Sequence, residues 1–451
     1  MVSLPLSEYK KIWDARKGDF SALLRIPSVY DEATVREQAP HGEPVRRALS
    51  FMKALCEREG FAVTEYGGQA ISASWGAGES IDLVSHLDVV GVDGSWAEDP
   101  FSGSIHDGAV HGRGAQDMKS GAFLTFLALK LVKDSGITPQ KEFRLVYGTD
   151  EERTMEDMRH YVAQAGLPAF AFTPDGQFPM TNGEKGALMW VLEGEYSGCV
   201  RELTGGIQPN VIPPEASALV DHSDPDAAHR LMAELGISGE AERTPEGLRL
   251  TVHGRACHAS RPDGGHSAVA DLFRLLAGLS GEMAWKRLAE GFADPYGGGV
   301  GLAADLPPMG KLTLNPGVVT VKANRLRMLI DCRYPVGITS AELTGQLARA
   351  FPEYTLTLPY DDPPTYTPPE DAGVRALCAA YEAVTGKPCL PTVSGGVSYS
   401  KVFGRCVTFG PVGEASPMLA HQKDEKITEA DCVTALAVYH RAILNLMEAE
   451  L

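Results

Sequence analysis

An α/β fold interrupted by a separate α+β domain is the architecture this sequence predicts, on three observations. Helical and strand periodicities alternate from the start to about Asn182. From about Gly183 to about Pro364 the pattern turns to alternating strands with a few helices. The proline-rich run Asp361-Asp362-Pro363-Pro364-Thr365-Tyr366-Thr367-Pro368-Pro369 then reads as a return linker, and helix and strand patterns resume from Val374. A chain of 451 residues also exceeds one ordinary core. Domain segments are therefore expected at 1–183, 184–364 and 365–451, the first and last forming one domain.

In order, Ile12, Phe20, Leu23 and Leu24 carry helical spacing, as does Val45 to Cys56. Ile81 to His86 is a short apolar strand, Ser120 to Val132 an apolar helix, Phe143 to Tyr147 a strand, Met155 to Ala165 a helix, and Phe170 to Phe172 a strand. In the insertion, Leu248 to His253 and Val318 to Asp331 read as strands, Ser267 to Leu279 and Ser340 to Arg349 as helices. There is no fixed-period repeat and no low-complexity tract.

Composition narrows the function classes. Hydrophobic content of 44% with 22% charged residues matches ordinary globular domains and excludes a disordered chain. A formal net charge of -18 disfavours nucleic acid and anionic membrane surfaces as partners. No apolar run approaches the ~18 residues of a spanning helix, and the start, Ser7-Glu8-Tyr9-Lys10-Lys11-Ile12-Trp13, is amphipathic. The eight cysteines are dispersed without a C-x-x-C pair, which points to a reducing compartment, and the chain reads as cytoplasmic.

Five clusters carry chemistry: Ser85-His86-Leu87-Asp88, Gly112-Arg113-Gly114-Ala115-Gln116-Asp117, Gly148-Thr149-Asp150-Glu151-Glu152, Thr173-Pro174-Asp175 and Ala420-His421-Gln422-Lys423-Asp424-Glu425. Alone, each has a plain structural explanation: a satisfied histidine, a helix cap at Asp117, a solvated acid pair. Together they sit where strands end, the edge at which open α/β sheets bind ligands. His86 and Asp88, two apart, point to one side, so one can bind a metal while the other supports it through its carboxylate or through backbone geometry. Asp117 has two oxygens, enough to bridge two cations ~3.5 to 4 Å apart. Glu151 and Glu152 point oppositely on an extended backbone, so a loop must turn both inward, leaving one to bind metal and one to act as general base. With Asp175 and His421 the set is two histidines and three carboxylates without thiolate, which suits zinc, and also manganese or cobalt.

On these residues the chain resembles the dinuclear-metal peptidase and deacylase family that includes carboxypeptidase G, acetylornithine deacetylase and carnosinase. It is most similar to the PepV-like dipeptidases through Ile26-Pro27-Ser28-Val29, Thr173-Pro174-Asp175, Glu184-Lys185-Gly186, His258-Ala259-Ser260 and Arg333-Tyr334-Pro335. The resemblance implies a catalytic domain with a mixed twisted sheet covered by helices, and an inserted α+β lid. It implies that His86 and Asp175 bind one cation, Glu152 and His421 the other, and Asp117 both, with a cis peptide at Asp117-Met118. Asp88 would orient His86, and Glu151 would be general base and then acid. His258 matches the lid histidine that stabilises an oxyanion. Asn210, Arg333 and the loop with Gly395, Gly396 and Ser398 match substrate-binding positions, Arg333 as a carboxylate fork. Met118 stands where the dipeptidases carry a second acid, and Val397 where a third glycine is expected; neither departure replaces a metal ligand.

The expected activity is hydrolysis of the peptide bond of dipeptides by water activated between two divalent cations, most simply Zn2+ with Mn2+ or Co2+ as alternatives. An N-acyl-amino-acid deacylase using the same site is the alternative, and a noncatalytic peptide-binding scaffold the alternative from another class. The expected partner is a small peptide, and the resemblance implies a catalytically complete monomer, with a homodimer as the alternative.

Overall fold

The computed structural model describes residues 4–222 and 224–451. They divide into two compact units: residues 1–183, 366–392 and 398–451 form the first, residues 184–365 and 393–397 the second.

The first unit is built on a mixed sheet. From one edge the first six of its nine strands run Ala62–Tyr66, Ala70–Trp75, Glu142–Gly148, Ser80–His86, Phe170–Thr173 and Cys406–Thr408. The first three pair antiparallel, and the last four are parallel. Those parallel strands are buried along almost their whole length because helices cover both faces; Ser80–His86 is buried at every position after its first, and its Asp82 is paired there with Arg144 of the neighbouring strand at 2.7 Å. Register places His86 opposite Gly148, so the two strands end together. Lys119–Asp134 and Glu429–Glu448 are the most deeply buried helices, each hiding twelve residues. Trp13, Phe20, Phe123 and Phe126 of the helical layer pack ring on ring in the same core.

The second unit is an eight-stranded antiparallel sheet in the order Gly239–Thr244, Gly247–His253, Glu215–Val220, Val200–Gly205, Thr313–Lys322, Arg325–Tyr334, Gly186–Glu195, Thr355–Asp362. Helices Ala268–Ser280 and Ser340–Ala350 agree with their sequence patterns. Two further helices, Pro225–Leu235 and Met283–Gly291, escaped the sequence reading. The stretch Val318 to Asp331, read as a strand, is a hairpin: Ala323 and Asn324 turn it with φ of 48° and 57°. Two successive left-handed residues make the tight turn whose twist matches the flanking strands.

Cys378 and Cys389 are joined by a disulfide, an exception to the dispersed, unpaired cysteines expected from their spacing. No described helix is long and apolar enough to cross a membrane.

Candidate metal centre

Every candidate ligand lies in the first unit. Three parallel neighbours, Ser80–His86, Glu142–Gly148 and Phe170–Thr173, end at one edge. Their next residues supply Asp88, Glu151 with Glu152, and Asp175, as the carboxyl-edge rule requires. Asp117 comes from the turn before Lys119–Asp134, and the Asp117-Met118 peptide is cis. His421 comes from the loop before the last helix and has a φ of 62°.

Asp117 faces the two histidines with different oxygens. Oδ1 lies 3.0 Å from Nε2 of His86, and Oδ2 lies 2.9 Å from Nε2 of His421. Glu152 is 3.2 Å from His421, and Asp175 is 3.8 Å from Nε2 of His86. Glu151 comes no nearer than 4.0 Å to that nitrogen. Five side chains thus surround a common space, paired through one carboxylate. Donor atoms of His86, Asp117 and Glu152 all lie within 4.8 Å of one another.

Asp88 meets His86 through its backbone, one of the two routes expected of it, and its carboxylate has a further role. Nδ1 of His86 is 2.9 Å from the Asp88 carbonyl oxygen and 3.5 Å from the carboxylate. The carboxylate instead accepts the backbone N–H groups of Glu151 (3.3 Å) and Glu152 (3.1 Å), one on each oxygen. That pair of bonds is the device that turns both adjacent glutamates from opposite faces into one site. The same loop is held from behind by Asp157, which accepts from the backbone N–H of Thr149 and Asp150 and from the Tyr399 hydroxyl.

A residue given no role by the sequence reading anchors Asp117. Glu425 is fully buried; its Oε1 accepts from the N–H of Gln116 (2.7 Å) and Asp117 (3.2 Å), and its Oε2 from Arg113 (2.6 Å) and the N–H of Gly114. The signal available was the proximity of Glu425 to His421 in sequence and the arginine inside the Gly112-Arg113-Gly114 turn.

The electrostatics call for positive charge. Burial, then repulsion from Asp175, Glu152 and Asp117, holds the Glu151 carboxyl well above the ordinary range against the pull of His86. Burial and the Asp117 charge likewise raise Asp175. Hydrogen bonds donated to the Asp117 and Glu152 carboxylates push His421 up to about 11. Burial opposes a proton on His86, but the bonds to Asp117, Asp175 and Asp88 outweigh it and raise the group well above its usual value. Buried carboxylates in excess, with imidazoles that take up protons to offset them, are the donor set a pair of divalent cations fits.

The second unit gathers the other expected residues. Val211 and His258 form a β-bridge, and the carbonyl of Asn210 accepts the Ala259 N–H at 2.9 Å. Nδ1 of His258 accepts the Ser260 N–H at 3.2 Å, which leaves the proton on Nε2. Desolvation, then the Arg333 charge, lowers the pKa of His258, so the ring is neutral, with Nε2–H as its donor. Arg333 departs from its expected role: Nε and Nη2 already hold Asp331 (3.1 and 2.9 Å), and Nη1 donates to the Gly395 carbonyl. Three of its five N–H donors are thereby engaged inside the unit. A Cβ on Gly395 would lie 2.5 Å from that of Ser260, so only glycine allows this approach. Gly396 N–H donates to the Ser394 hydroxyl. Ser398 belongs to the first unit, where its hydroxyl accepts the Ser400 N–H.

Known proteins resemble this chain over nearly its full length. A model of peptidase family M20/M25/M40 matches residues 83–445. The YtjP protein of Bacillus subtilis (strain 168), which bears a dipeptidase name, is 32% identical over 446 residues, 95% of this chain and 96% of its own. The Beta-Ala-Xaa dipeptidase of Lactobacillus delbrueckii subsp. lactis is 29% identical over 468 residues, 99% of this chain and 98% of its own. Human carnosine dipeptidase 1 shares the fold with a TM-score of 0.61 at 14% identity, over 99% of this chain and 100% of that one.

Proposed function

The chain belongs to peptidase family M20/M25/M40, and from that premise we propose that it is a metal-dependent dipeptidase, hydrolysing the peptide bond of short peptides with a water activated between two divalent cations. The observation that carries this reading is Asp117, whose two oxygens address two different histidines while Glu151 stays free of both hydrogen bonds. His86 with Asp175 would hold one cation, His421 with Glu152 the other, and Asp117 both. Zinc suits these donors best, with manganese or cobalt as alternatives. When bound, the cations supply the charge that acidifies a water and polarises the scissile carbonyl.

Glu151 takes the water's proton at its carboxylate and returns it to the leaving amine. Its position suits both steps, since its carboxylate faces the ligand cluster without a hydrogen bond to either histidine. For the second unit we assign His258 as a hydrogen-bond donor to developing oxyanion charge through Nε2–H, and Asn210, Gly395 and Gly396 as polar substrate contacts. Ser398 is assigned the same role from the first unit. Arg333 is reassigned as a positioning residue for the Gly395 loop. Six cysteines outside any disulfide favour a reducing compartment over the single Cys378–Cys389 bridge, and on that basis we assign action in the cytoplasm.

Hydrolysis is tested on a panel of free dipeptides beside N-acetyl and N-succinyl amino acids, with metal-stripped protein refilled in turn with Zn2+, Mn2+ and Co2+. Cleavage of the dipeptides is expected; cleavage of acylated amino acids alone would move the chain to the deacylases. Glu151→Ala should keep its metal and lose about 100- to 10,000-fold in turnover. Unchanged turnover would reject Glu151 as the base.

A further inference from the structure

A second group of metal-type donors lies in the first unit, apart from the centre described above: Glu98, His106 and His111, whose ligand atoms all lie within 4.8 Å of one another. His106 and His111 come from the two strands of a short hairpin, Ile105–His106 and Ala109–His111, in which His106 pairs with Ala109. That register sets the imidazoles diagonally on one face, stacked with centroids 4.1 Å apart at 13°. Both rings turn a nitrogen to the same oxygen. Oε1 of Glu98 is 3.1 Å from Nε2 of His106 and 3.4 Å from Nδ1 of His111. A tetrahedral ion with ligands at about 2.0–2.1 Å needs donors about 3.3–3.4 Å apart. Both nitrogen-oxygen edges are already close to that length, and the half-exposed His106 ring has to turn out of the stack for both in-plane lone pairs to meet one ion.

The outer contacts are those of a ligating set. The second nitrogen of His106 is 3.0 Å from Oδ2 of Asp107, the carboxylate-imidazole pairing that fixes ring orientation and raises ligand basicity. The second oxygen of Glu98 accepts the Ser104 hydroxyl at 2.6 Å, which leaves Oε1 directed at the rings. Nδ1 of His111 faces Oε1 of Glu98 and is the nitrogen this ring offers. A cleft lined by Trp96, Asp424 and Lys426 opens beside the three donors and leaves room for water as a fourth ligand.

We propose that Glu98, His106 and His111 form an additional binding site for a borderline divalent cation, Zn2+ or Ni2+, separate from the centre around Asp117. Two imidazoles and one carboxylate select such ions over Mg2+ or Ca2+. The site also has a mechanical link. His111 pairs with Lys426 in the strand Lys426–Thr428, and the Ala97 N–H donates to Asp424 at 2.7 Å, so a cation here ties the 97–111 segment against the stretch that follows His421.

The test is equilibrium dialysis of tag-free, full-length protein against Zn2+, parent beside His106→Gln and Glu98→Gln. Both positions are partly open to solvent, so the variants should fold, and the dichroism spectrum checks this. One fewer Zn2+ per chain in His106→Gln, with dipeptide hydrolysis at the parental rate, is the expected result. Equal Zn2+ content in parent and both folded variants would overturn the site. Because the readout is a difference of one equivalent between parent and variant, it stands whether or not the chain proves to be a dipeptidase.

Discussion

Asp88 has three acceptor atoms, and each serves a different residue of the site. Its carbonyl takes the His86 ring, and its two carboxylate oxygens take the N–H groups of Glu151 and Glu152. Asp88→Asn would turn one of those oxygens into an NH2 group facing a backbone donor, so the glutamate loop loses a bond and gains a repulsion. Metal affinity and kcat/KM should each fall about 10- to 100-fold, read by metal titration and dipeptide kinetics; parental values would mean the loop holds itself. Spacing alone made Asp88 visible, since residues two apart at a strand end share a side. Glu425 stayed hidden for a physical reason: most of its partners are backbone amides at Gly114, Gln116 and Asp117, which leave no mark on residue identity. Breaking its buried pair with Arg113 by Glu425→Ala should cost about 3–5 kcal/mol in urea unfolding, with weaker metal binding because Asp117 loses its anchor.

At the scale of elements, Leu6–Leu24 and Glu429–Glu448 meet through Tyr9 and His440. The Tyr9 hydroxyl lies 2.8 Å from Nδ1 of His440, and burial, then the Arg441 charge, pulls that imidazole down to about 4. The unfolded chain, with an ordinary value of 6.5, binds a proton that the folded protein refuses between those two pH values. Stability from this seam is therefore complete above about pH 6.5 and lost as pH falls towards 4, on the order of 3 kcal/mol in all. His440→Gln keeps an acceptor for Tyr9 and removes the titration, so its Tm should fall less steeply than the parent's over that range; parallel curves would remove His440 from the acid response. Sequence periodicity located the first of these helices because Trp13, Phe20 and Leu24 are buried on it at helical spacing. It failed at Ala323–Asn324 because no glycine announces the turn, and strand-forming residues continue on both sides. It also missed Met283–Gly291, a helix of nine residues with a single fully apolar anchor pair, Trp285 and Leu288.

For the molecule as a whole, the two units own separate cores. One runs from Trp13 through Phe123 to Leu446, the other from Trp190 through Trp285 to Phe351. The sequence carried this division in its change of periodicity near Gly183 and its proline-rich run, but nothing in it marked residues 393–397 as part of the second unit. That short stretch contains Gly395, whose place is set by Arg333 and Ser260, contacts formed only on folding. All five proposed ligands fall in the first unit, so cation binding is linked to the unfolding of that unit alone. At about a thousandfold excess over Kd a bound ligand adds about 4 kcal/mol per site. Stripping metal with a chelator should therefore lower the first unit's calorimetric transition and leave the second unit's in place. Refilling with Zn2+ should restore it. A chelator that moves both transitions together would show the two cores unfolding as one, and one that moves neither would show that the cluster around Asp117 is stable on protons alone, with His86 and His421 charged.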